Sequence, residues 1–130
     1  MRLVVTRLSR QLRQRAAFDL TSSQTSALAA VARTGPLTLG ELAAVEHVQP
    51  PSITAVVSRL EEKGLLARRQ DSADRRVVRV EVTMEGFKLL ARSRRRKDAE
   101  LDRRLSSLTE SERSTLAAAA SILERLVEPE

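Results

Sequence analysis

Apolar residues recur at helical spacing along most of the chain, which predicts a mainly α-helical protein. The segment from Arg2 to about Ala17 has leucines four residues apart with arginines between them, so it predicts an amphipathic helix. A long helix is predicted after Thr83 and a last helix after Thr109. Their apolar stripes are Phe87, Leu90, Ala91, Leu101, Leu105 and Leu108 in the first, and Leu116, Ala119, Ala120, Leu123, Leu126 and Val127 in the second.

Three threonines stand three residues before a Gln or Glu, which is the capping-box pattern of helix starts. The pairs are Thr21 with Gln24, Thr38 with Glu41, and Thr109 with Glu112. The first pair predicts a helix that runs to Arg33 and is stopped by Gly35-Pro36. The second pair predicts a short helix that ends near His47, which we interpret as a helix-end residue.

A further helix is predicted to start at Pro50-Pro51-Ser52, because proline is favoured in the first turn of a helix. Its apolar residues fall at positions i, i+3, i+4 and i+7 and form one stripe, made of Ile53, Val56, Val57 and Leu60. Gly64 follows Lys63 and is expected to end this helix in the left-handed conformation.

Two short apolar runs of strand length follow, Leu65 to Gln70 and Val77 to Val82. In the second run valines alternate with charged residues, which predicts a hairpin with one packed and one wet face. Two helices joined by a turn and followed by such a hairpin predict a winged helix-turn-helix, mainly α with a small antiparallel β-hairpin. Double-stranded DNA is therefore the leading candidate ligand.

The charge distribution points to a polyanionic partner. The chain has 130 residues, 42% of them hydrophobic, which suits one domain, and its formal net charge is +6. Between Arg59 and Lys97 thirteen residues are basic and six are acidic, so positive charge is concentrated around and after the hairpin. The alternative is a solvated arginine-rich helix face. Aromatic residues make up only 2%, which argues against proteins that stack single-stranded bases on rings.

Composition also disfavours several classes of site. The chain has no cysteine and one histidine, His47, so disulfides and a metal site are not expected. Neither a nucleophile beside this histidine nor a Gly-rich phosphate loop is evident, so we expect neither an enzyme nor a cofactor. No apolar run has the length of a membrane span or signal peptide, and a cytoplasmic protein is expected.

The helix that starts at Pro50 is the candidate recognition helix, because it offers short polar groups on the faces away from its apolar stripe. Free backbone N–H groups at its start are expected to favour a phosphate beside Ser52 and Thr54. Arg59 is the better candidate for a bidentate contact to guanine. The candidate DNA contacts of this helix are Pro51, Ser52, Thr54, Ala55, Ser58 and Arg59. The alternative is that the hydroxyls only cap or solvate the helix.

The hairpin tip carries two arginines, Arg75 and Arg76, either of which could enter a narrow minor groove, where negative potential is concentrated. Asp74 is expected to hold one guanidinium in place through charge-assisted hydrogen bonds. The alternative role for Asp74 is simple turn stabilisation. We therefore expect Asp74, Arg75 and Arg76 to contact DNA.

The stretch from Gly64 to Gly86, with its Asp71-Ser72-Ala73-Asp74-Arg75-Arg76 core, resembles the wing signature of the MarR family of bacterial transcription regulators. Ser-Arg-Leu-Glu-Glu-Lys-Gly from Ser58 to Gly64, and Leu108-Thr109 with Glu112-Arg113, are similar to that family too. The resemblance spans nearly the whole chain. It implies that Asp74 and Arg76 form the family's wing pair, in which the aspartate orients a minor-groove arginine.

The resemblance further implies a homodimer on a palindromic operator, with repression relieved by a small ligand. Residues 21–86 would form the winged DNA-binding core, and residues 1–18 and 87–130 the dimerisation helices of a single MarR-like domain. The first helix begins late for the family, which implies a shortened arm or an upstream start. The absence of cysteine and of clustered histidines disfavours peroxide and zinc sensors.

An anionic or phenolic effector is the remaining hypothesis. The apolar spacing from Ala91 to Leu101 places Arg94 and Asp98 on the inward stripe of the long helix, where the resemblance implies a ligand cavity. The alternative is an ordinary exposed ion pair four residues apart. For the whole protein, the alternative function is a non-specific architectural DNA binder or a protein-interaction module that kept the winged fold.

Overall fold

A computed structural model of the chain describes residues 1–128, and every helix and both strands expected from the sequence are present in it. The helices are α1 (Arg2–Ala16), α2 (Ser22–Thr34), α3 (Leu39–Glu46), α4 (Pro50–Glu62), α5 (Met84–Leu105) and α6 (Glu110–Val127). The strands are β1 (Leu37–Thr38), β2 (Leu66–Gln70) and β3 (Val78–Val82). The predicted winged helix-turn-helix is thus confirmed.

The chain folds as two compact units. The first, here called the winged unit, is Ala16–Arg95 and contains helices α2 to α4 and the three strands. The second, the helical unit, combines Met1–Arg15 with the chain from Arg96 onward and so contains most of α1, the end of α5 and α6.

The hydrophobic core lies in the winged unit. Helix α2 contributes Leu28 and Val31, α3 contributes Leu42, and all three are within 1% of complete burial. Helix α4 inserts its predicted stripe between them, with Ile53, Val57 and Leu60 buried and Val56 packed against the cluster. Because the stripe is buried, the opposite faces of α4 are left for solvent.

The sheet has one strand more than the sequence predicted. β2 and β3 form the antiparallel hairpin, and the two-residue strand β1 pairs with the other edge of β3, giving the order β1-β3-β2. β1 opposes only Val80 and Arg79, whereas β2 opposes all of β3. The sheet is therefore three-stranded only at Arg79 and Val80, and it is two-stranded from Val78 to the tip.

Helix ends follow the predicted capping residues, with one exception. Thr21 with Gln24 and Thr109 with Glu112 form complete capping boxes, in which each side chain bonds the other residue's backbone N–H. At α3 the box is only half made: Thr38 accepts from the Glu41 N–H, but the Glu41 side chain does not return to Thr38.

The turns that close α3 and α4 use the left-handed conformation. His47 ends α3 with a φ of 55°, as expected of a helix-end residue, and Gly64 follows α4 with a φ of 74°. Glycine is the residue that adopts this conformation without steric cost.

The end of α4, the base of the hairpin and the start of α5 meet at Thr83. Its hydroxyl donates to the Gly64 carbonyl at 2.6 Å and accepts from the Gly86 N–H at 3.1 Å, while its own N–H donates to the Leu65 carbonyl. Gly86 packs directly against the backbone of Leu65, just before β2. A Cβ at position 86 would collide with the Leu65 carbonyl and the Val82 side chain. A side chain at position 86 is therefore excluded by shape.

The helical unit has apolar surface but almost no core. None of the residues of α6 is buried, and Leu116, Ile122, Leu126 and Val127 are exposed, as are Leu3, Val4 and Val5 of α1. Its clearest polar cluster is Glu100, whose carboxylate binds Arg103 and Arg104 at 2.8 Å each. Arg104 also donates to Gln11 of α1. Within residues 1–128, none of the helices combines the length and the apolar content needed to cross a bilayer.

Candidate nucleic-acid interface

Helix α4 presents the candidate recognition residues on its solvent side. Pro51, Ser52, Thr54, Ala55 and Arg59 are exposed and Ser58 is half-buried, while the apolar stripe on the other side faces the core. The spacing predicted one apolar face packed on the core and one exposed polar face, and α4 has both. It leaves these side chains accessible to a ligand as large as a duplex.

The expectation of free backbone N–H groups at the start of α4 is wrong. Pro50 and Pro51 carry no N–H, and the next two amides, of Ser52 and Ile53, both donate to the Gln49 carbonyl, at 3.0 and 3.3 Å. The first turn of α4 therefore has no free backbone donor. A phosphate at this helix end would have to be bound by side chains.

The two hydroxyls of the first turn differ in what they can offer. Thr54 donates to the Pro50 carbonyl at 3.0 Å, so its proton is already used inside the helix. Thr54 can still accept a hydrogen bond or place its methyl group against a thymine methyl. The Ser52 hydroxyl has no partner within the described part of the chain, and so remains available as a donor.

Arg59 lies one turn further along α4 and forms an exposed ion pair with Glu62, with 3.5 Å between Nη1 and Oε2. Ion pairs at the surface contribute only about 0 to 1 kcal/mol, so a competing ligand can replace Glu62 at small cost. Glu62 thus holds the Arg59 guanidinium on the polar face of α4, and a phosphate or a base could displace Glu62.

The hairpin tip is ordered by its own hydrogen bonds. One oxygen of Asp71 accepts from the backbone N–H of Ala73 at 2.8 Å and of Asp74 at 3.3 Å. The Asp71 N–H donates to the Val77 carbonyl, and the Val77 N–H donates to the Asp74 carbonyl. The backbone hydrogen bonds from Ala73 and Asp74, together with Arg79, hold the pKa of Asp71 below its ordinary value.

Asp74 and Arg76 form the pair that the sequence predicted. Nε of Arg76 donates to one carboxylate oxygen at 3.1 Å and Nη2 to the other at 3.2 Å, a two-pronged arrangement that fixes the plane of the guanidinium. These bonds, the side-chain ones first, lower the pKa of Asp74. The Arg76 side chain is 91% exposed, so the oriented cation projects into solvent.

The second tip arginine is different. Arg75 is exposed and makes neither an ion pair nor a side-chain hydrogen bond within residues 1–128. Arg75 is therefore an exposed positive charge beside the oriented guanidinium of Arg76. The pairing thus distinguishes Arg76 from Arg75, as the resemblance implied.

Arg79, which the sequence analysis did not single out, also belongs to this cluster. It donates to Asp71 at the tip and to Glu41 on α3, at 3.4 and 3.3 Å. The alternation of valines with charged residues in β3 placed Arg79 on the wet face, but nothing in the pattern named its two partners.

The structure places Arg94 and Asp98 differently from the sequence prediction. Both were expected on the inward stripe of the long helix, yet both are exposed, and the buried polar residue of this stretch is Ser93. No ion pair joins the two side chains within the described residues. The inward orientation is therefore wrong for the protomer, since a single serine faces the protein where a charged pair was expected.

Comparison with known proteins gives consistent relatives. The family model described as the MarR family matches residues 20–78. The HTH-type transcriptional regulator Mb0904 of Mycobacterium bovis is 41% identical over 127 residues, which cover 97% of this chain and 89% of that protein. The HTH-type transcriptional repressor MdtR of Bacillus subtilis is 36% identical over 93 residues, which cover 72% of this chain and 60% of that protein.

Among solved structures, a transcriptional regulator protein from Pseudomonas aeruginosa PA01 is 38% identical to the chain. It superposes with a TM-score of 0.86 and covers 99% of this chain and 91% of that one. The similarity therefore includes the terminal helices as well as the winged unit.

Proposed function

The chain belongs to the MarR family of DNA-binding transcription regulators, and we propose that it acts as a homodimeric repressor that binds a palindromic operator and leaves it when a small ligand binds. The observation that carries the DNA-binding part is the Asp74–Arg76 pair. It presents an oriented, solvent-exposed guanidinium at the tip of a narrow hairpin. Minor grooves attract arginine through their concentrated negative potential.

The recognition helix complements the wing. In this proposal the exposed side of α4, with Ser52, Thr54 and Arg59, lies in the major groove while Arg76 enters the adjacent minor groove. Since the first turn of α4 has no free backbone donor, the side chains there carry the hydrogen bonding. Pro51 and Ala55 would provide close apolar contact, and Arg75 a phosphate contact.

The dimer part of the proposal is supported by the apolar surface of the terminal helices. Leu126 is 73% exposed, and other large apolar side chains of α1 and α6 are exposed with it. Exposed apolar surface of this kind marks protein interfaces, because leaving it in water is costly. A second copy of the chain is the partner we propose, and the related repressor MdtR supports repression as the outcome.

Selection of randomised duplex DNA by the purified protein, followed by sequencing, tests the proposal. We expect an inverted repeat whose half-site centres are separated by about 10 bp, because the two recognition helices of a dimer lie one DNA turn apart. Binding with a steep salt dependence but no enriched sequence would contradict the proposal and favour the architectural alternative.

Two substitutions at the wing tip examine the Asp74–Arg76 pair on the selected operator. Arg76→Ala is expected to weaken binding, most strongly for operators with a narrow minor groove, whereas Arg33→Ala removes the same charge from α2 and serves as control. Asp74→Asn keeps the size of the side chain but removes the charged partner, so it is expected to weaken binding although the protein becomes more positive. Equal effects of Arg76→Ala and Arg33→Ala would contradict the proposed contact.

Arg59 is tested by specificity. If it reads a guanine, Arg59→Ala should relax the preference at one base position by about 1 to 3 kcal/mol. Binding titrations on operators with each base at that position measure this preference. A uniform loss on all sequences would instead identify a phosphate contact.

Sedimentation velocity tests the dimer. Leu126→Asp places a charge on the exposed apolar face of α6 and is expected to shift the protein to monomers. Ser114→Asp introduces the same charge at an exposed polar position of α6 and should leave the dimer intact. A wild-type protein that sediments as a monomer at micromolar concentration would contradict the proposal.

The effector part of the proposal concerns salicylate-like acids, with the exposed Arg94 as the cation that attracts the carboxylate of the acid. Release of the protein from its operator is measured as the acid is added. Arg94→Ala should lower the sensitivity to the acid, while the neighbouring Arg95→Ala should not. An unchanged response of Arg94→Ala would contradict this role.

A further inference from the structure

Glu41 uses its carboxylate differently from the other capping-box residues of the chain. Gln24 and Glu112 both turn back to the backbone of their capping threonine. Glu41 occupies the same position relative to Thr38, but its carboxylate accepts a hydrogen bond from Nη1 of Arg79 at 3.3 Å. The Thr38 hydroxyl still accepts from the Glu41 N–H, but the return bond from the Glu41 carboxylate to the Thr38 backbone is absent, and a contact to strand β3 is present in its place.

Arg79 lies at the point of β3 where the sheet changes from three strands to two. It is the last residue toward the tip at which β3 is paired on both sides, with Thr38 of β1 and Arg69 of β2. Beyond it the hairpin is two-stranded, and an isolated two-stranded hairpin is only marginally stable in water. A side-chain contact at this position can therefore influence how firmly the tip is held.

Arg79 connects α3 to the tip. While Nη1 reaches Glu41, Nε donates to one oxygen of Asp71 at 3.4 Å. The other oxygen of Asp71 binds the N–H groups of Ala73 and Asp74. A continuous series of charge-assisted contacts thus runs from α3 through Arg79 and Asp71 to Asp74, which orients Arg76.

We propose that Arg79 is a positioning residue that fixes the wing relative to the helix-turn-helix, so that Arg76 and the recognition helix reach their grooves together. This inference rests on the proposed function for its effect on DNA binding. It does not require Arg79 to touch DNA.

The Glu41–Arg79 ion pair allows a test in which the direction of the change in DNA affinity distinguishes positioning from simple charge attraction. Glu41→Gln removes a negative charge from a protein of net charge +6, so simple attraction to DNA, or a direct Arg79–phosphate contact, predicts tighter binding. The proposal predicts weaker binding, because the wing loses its anchor on α3. Opposite expectations for one substitution make the outcome decisive.

The cross-strand neighbour of Arg79 supplies the matched control. Arg69 lies directly opposite Arg79 in the sheet, and its partner Glu81 belongs to the same hairpin, at 3.3 Å. Arg69→Gln and Glu81→Gln therefore remove the same charges without breaking a contact to α3. We expect Arg79→Gln to weaken operator binding about fivefold or more beyond Arg69→Gln, a coupling typical of contacting residues.

A second measurement needs no DNA. Backbone ¹⁵N relaxation of the free protein reports the order of the tip amides of Ala73, Asp74 and Arg76. Arg79→Gln and Glu41→Gln should lower their order parameters, whereas Arg69→Gln and Glu81→Gln should not. Thermal unfolding by circular dichroism verifies that all four variants are folded.

The outcomes separate the inference from the proposed function. Tighter operator binding by Glu41→Gln, equal losses for Arg79→Gln and Arg69→Gln, or unchanged tip order in the two α3-contact variants would each overturn the inference. A wild-type protein that binds no duplex would overturn the proposed function and, with it, the part of the inference that concerns DNA. In that case the relaxation measurement still decides whether Arg79 holds the wing.

Discussion

The winged unit and the helical unit carry apolar stripes of similar quality, but only the winged unit buries them. In the winged unit Leu28 has 0% of its surface exposed, whereas Leu126, on the equally regular stripe of α6, has 73% exposed. A stripe shows which side of a helix avoids water, and it does not show what covers that side. The helices of the winged unit bury their apolar stripes within the unit, whereas the exposed stripes of the terminal helices are the surface for which we propose a second copy of the chain.

Shortening one leucine to alanine in each unit tests most directly whether the apolar stripe is buried in the one and exposed in the other. Leu28→Ala should lower the free energy of unfolding by about 2 to 5 kcal/mol, because it leaves a cavity in a closed core. Leu126→Ala should change the stability of the protomer little and should weaken the proposed dimer instead. Chemical denaturation at two protein concentrations measures both effects, and equal, concentration-independent losses would refute the contrast.

A second substitution examines how tightly the winged unit is closed. Gly86→Ala should destabilise it by about 1 to 3 kcal/mol, because the added methyl group meets the Leu65 backbone, which cannot move aside freely. Gly40→Ala is the matched control, since its Cβ would have room. Thermal unfolding compares the two, and a neutral Gly86→Ala would show that α5 tolerates a shift at its start.

The two complete capping boxes allow the same bond to be removed from each unit. Thr21→Ala and Thr109→Ala should each cost about 1 kcal/mol of local helix stability. Thr21→Ala should lower the free energy of the cooperative unfolding of the winged unit. The loss at Thr109 should increase amide exchange at the start of α6 and leave the winged unit unchanged, which hydrogen-exchange mass spectrometry distinguishes.

The smallest effect is expected for Glu100 of the helical unit. Hydrogen bonds from Arg103 and then Arg104 lower its pKa from 4.5 to about 2. Since the folded-state pKa is depressed, the stabilisation is present above pH 4.5 and is lost as the pH falls towards 2. The difference in melting temperature between wild type and Glu100→Gln should therefore shrink across this range. A difference that is constant with pH would contradict the ion-pair origin.

Local signals in the sequence were sufficient for most of the fold. The capping threonines located the starts of α2, α3 and α6, and Gly64 marked the turn after α4. These residues act on their immediate neighbours, so their effect is visible in the sequence. Strand β1 was missed because two residues have no periodicity, and only the edge of β3 makes Leu37–Thr38 a strand.

The candidate site was predicted in its residues better than in its contacts. The Asp74–Arg76 pair could be anticipated because its members are two residues apart in a tight turn. The contact of Arg79 with Glu41 spans 38 positions and depends on how the sheet packs beside α3. The predicted orientation of Arg94 and Asp98 was wrong because too few apolar residues lie between Ala91 and Leu101 to define the inward face of the helix.

The two prolines at the start of α4 have a consequence for how this regulator could diversify. Because Pro50 and Pro51 withhold generic amide donors, the donors available at this helix end are all encoded by side chains. In the proposed complex, replacing one of those side chains would change the favoured bases, since α4 offers no backbone donor there that every sequence would share. The choice of target at this end of the helix would then be separable from general affinity for DNA.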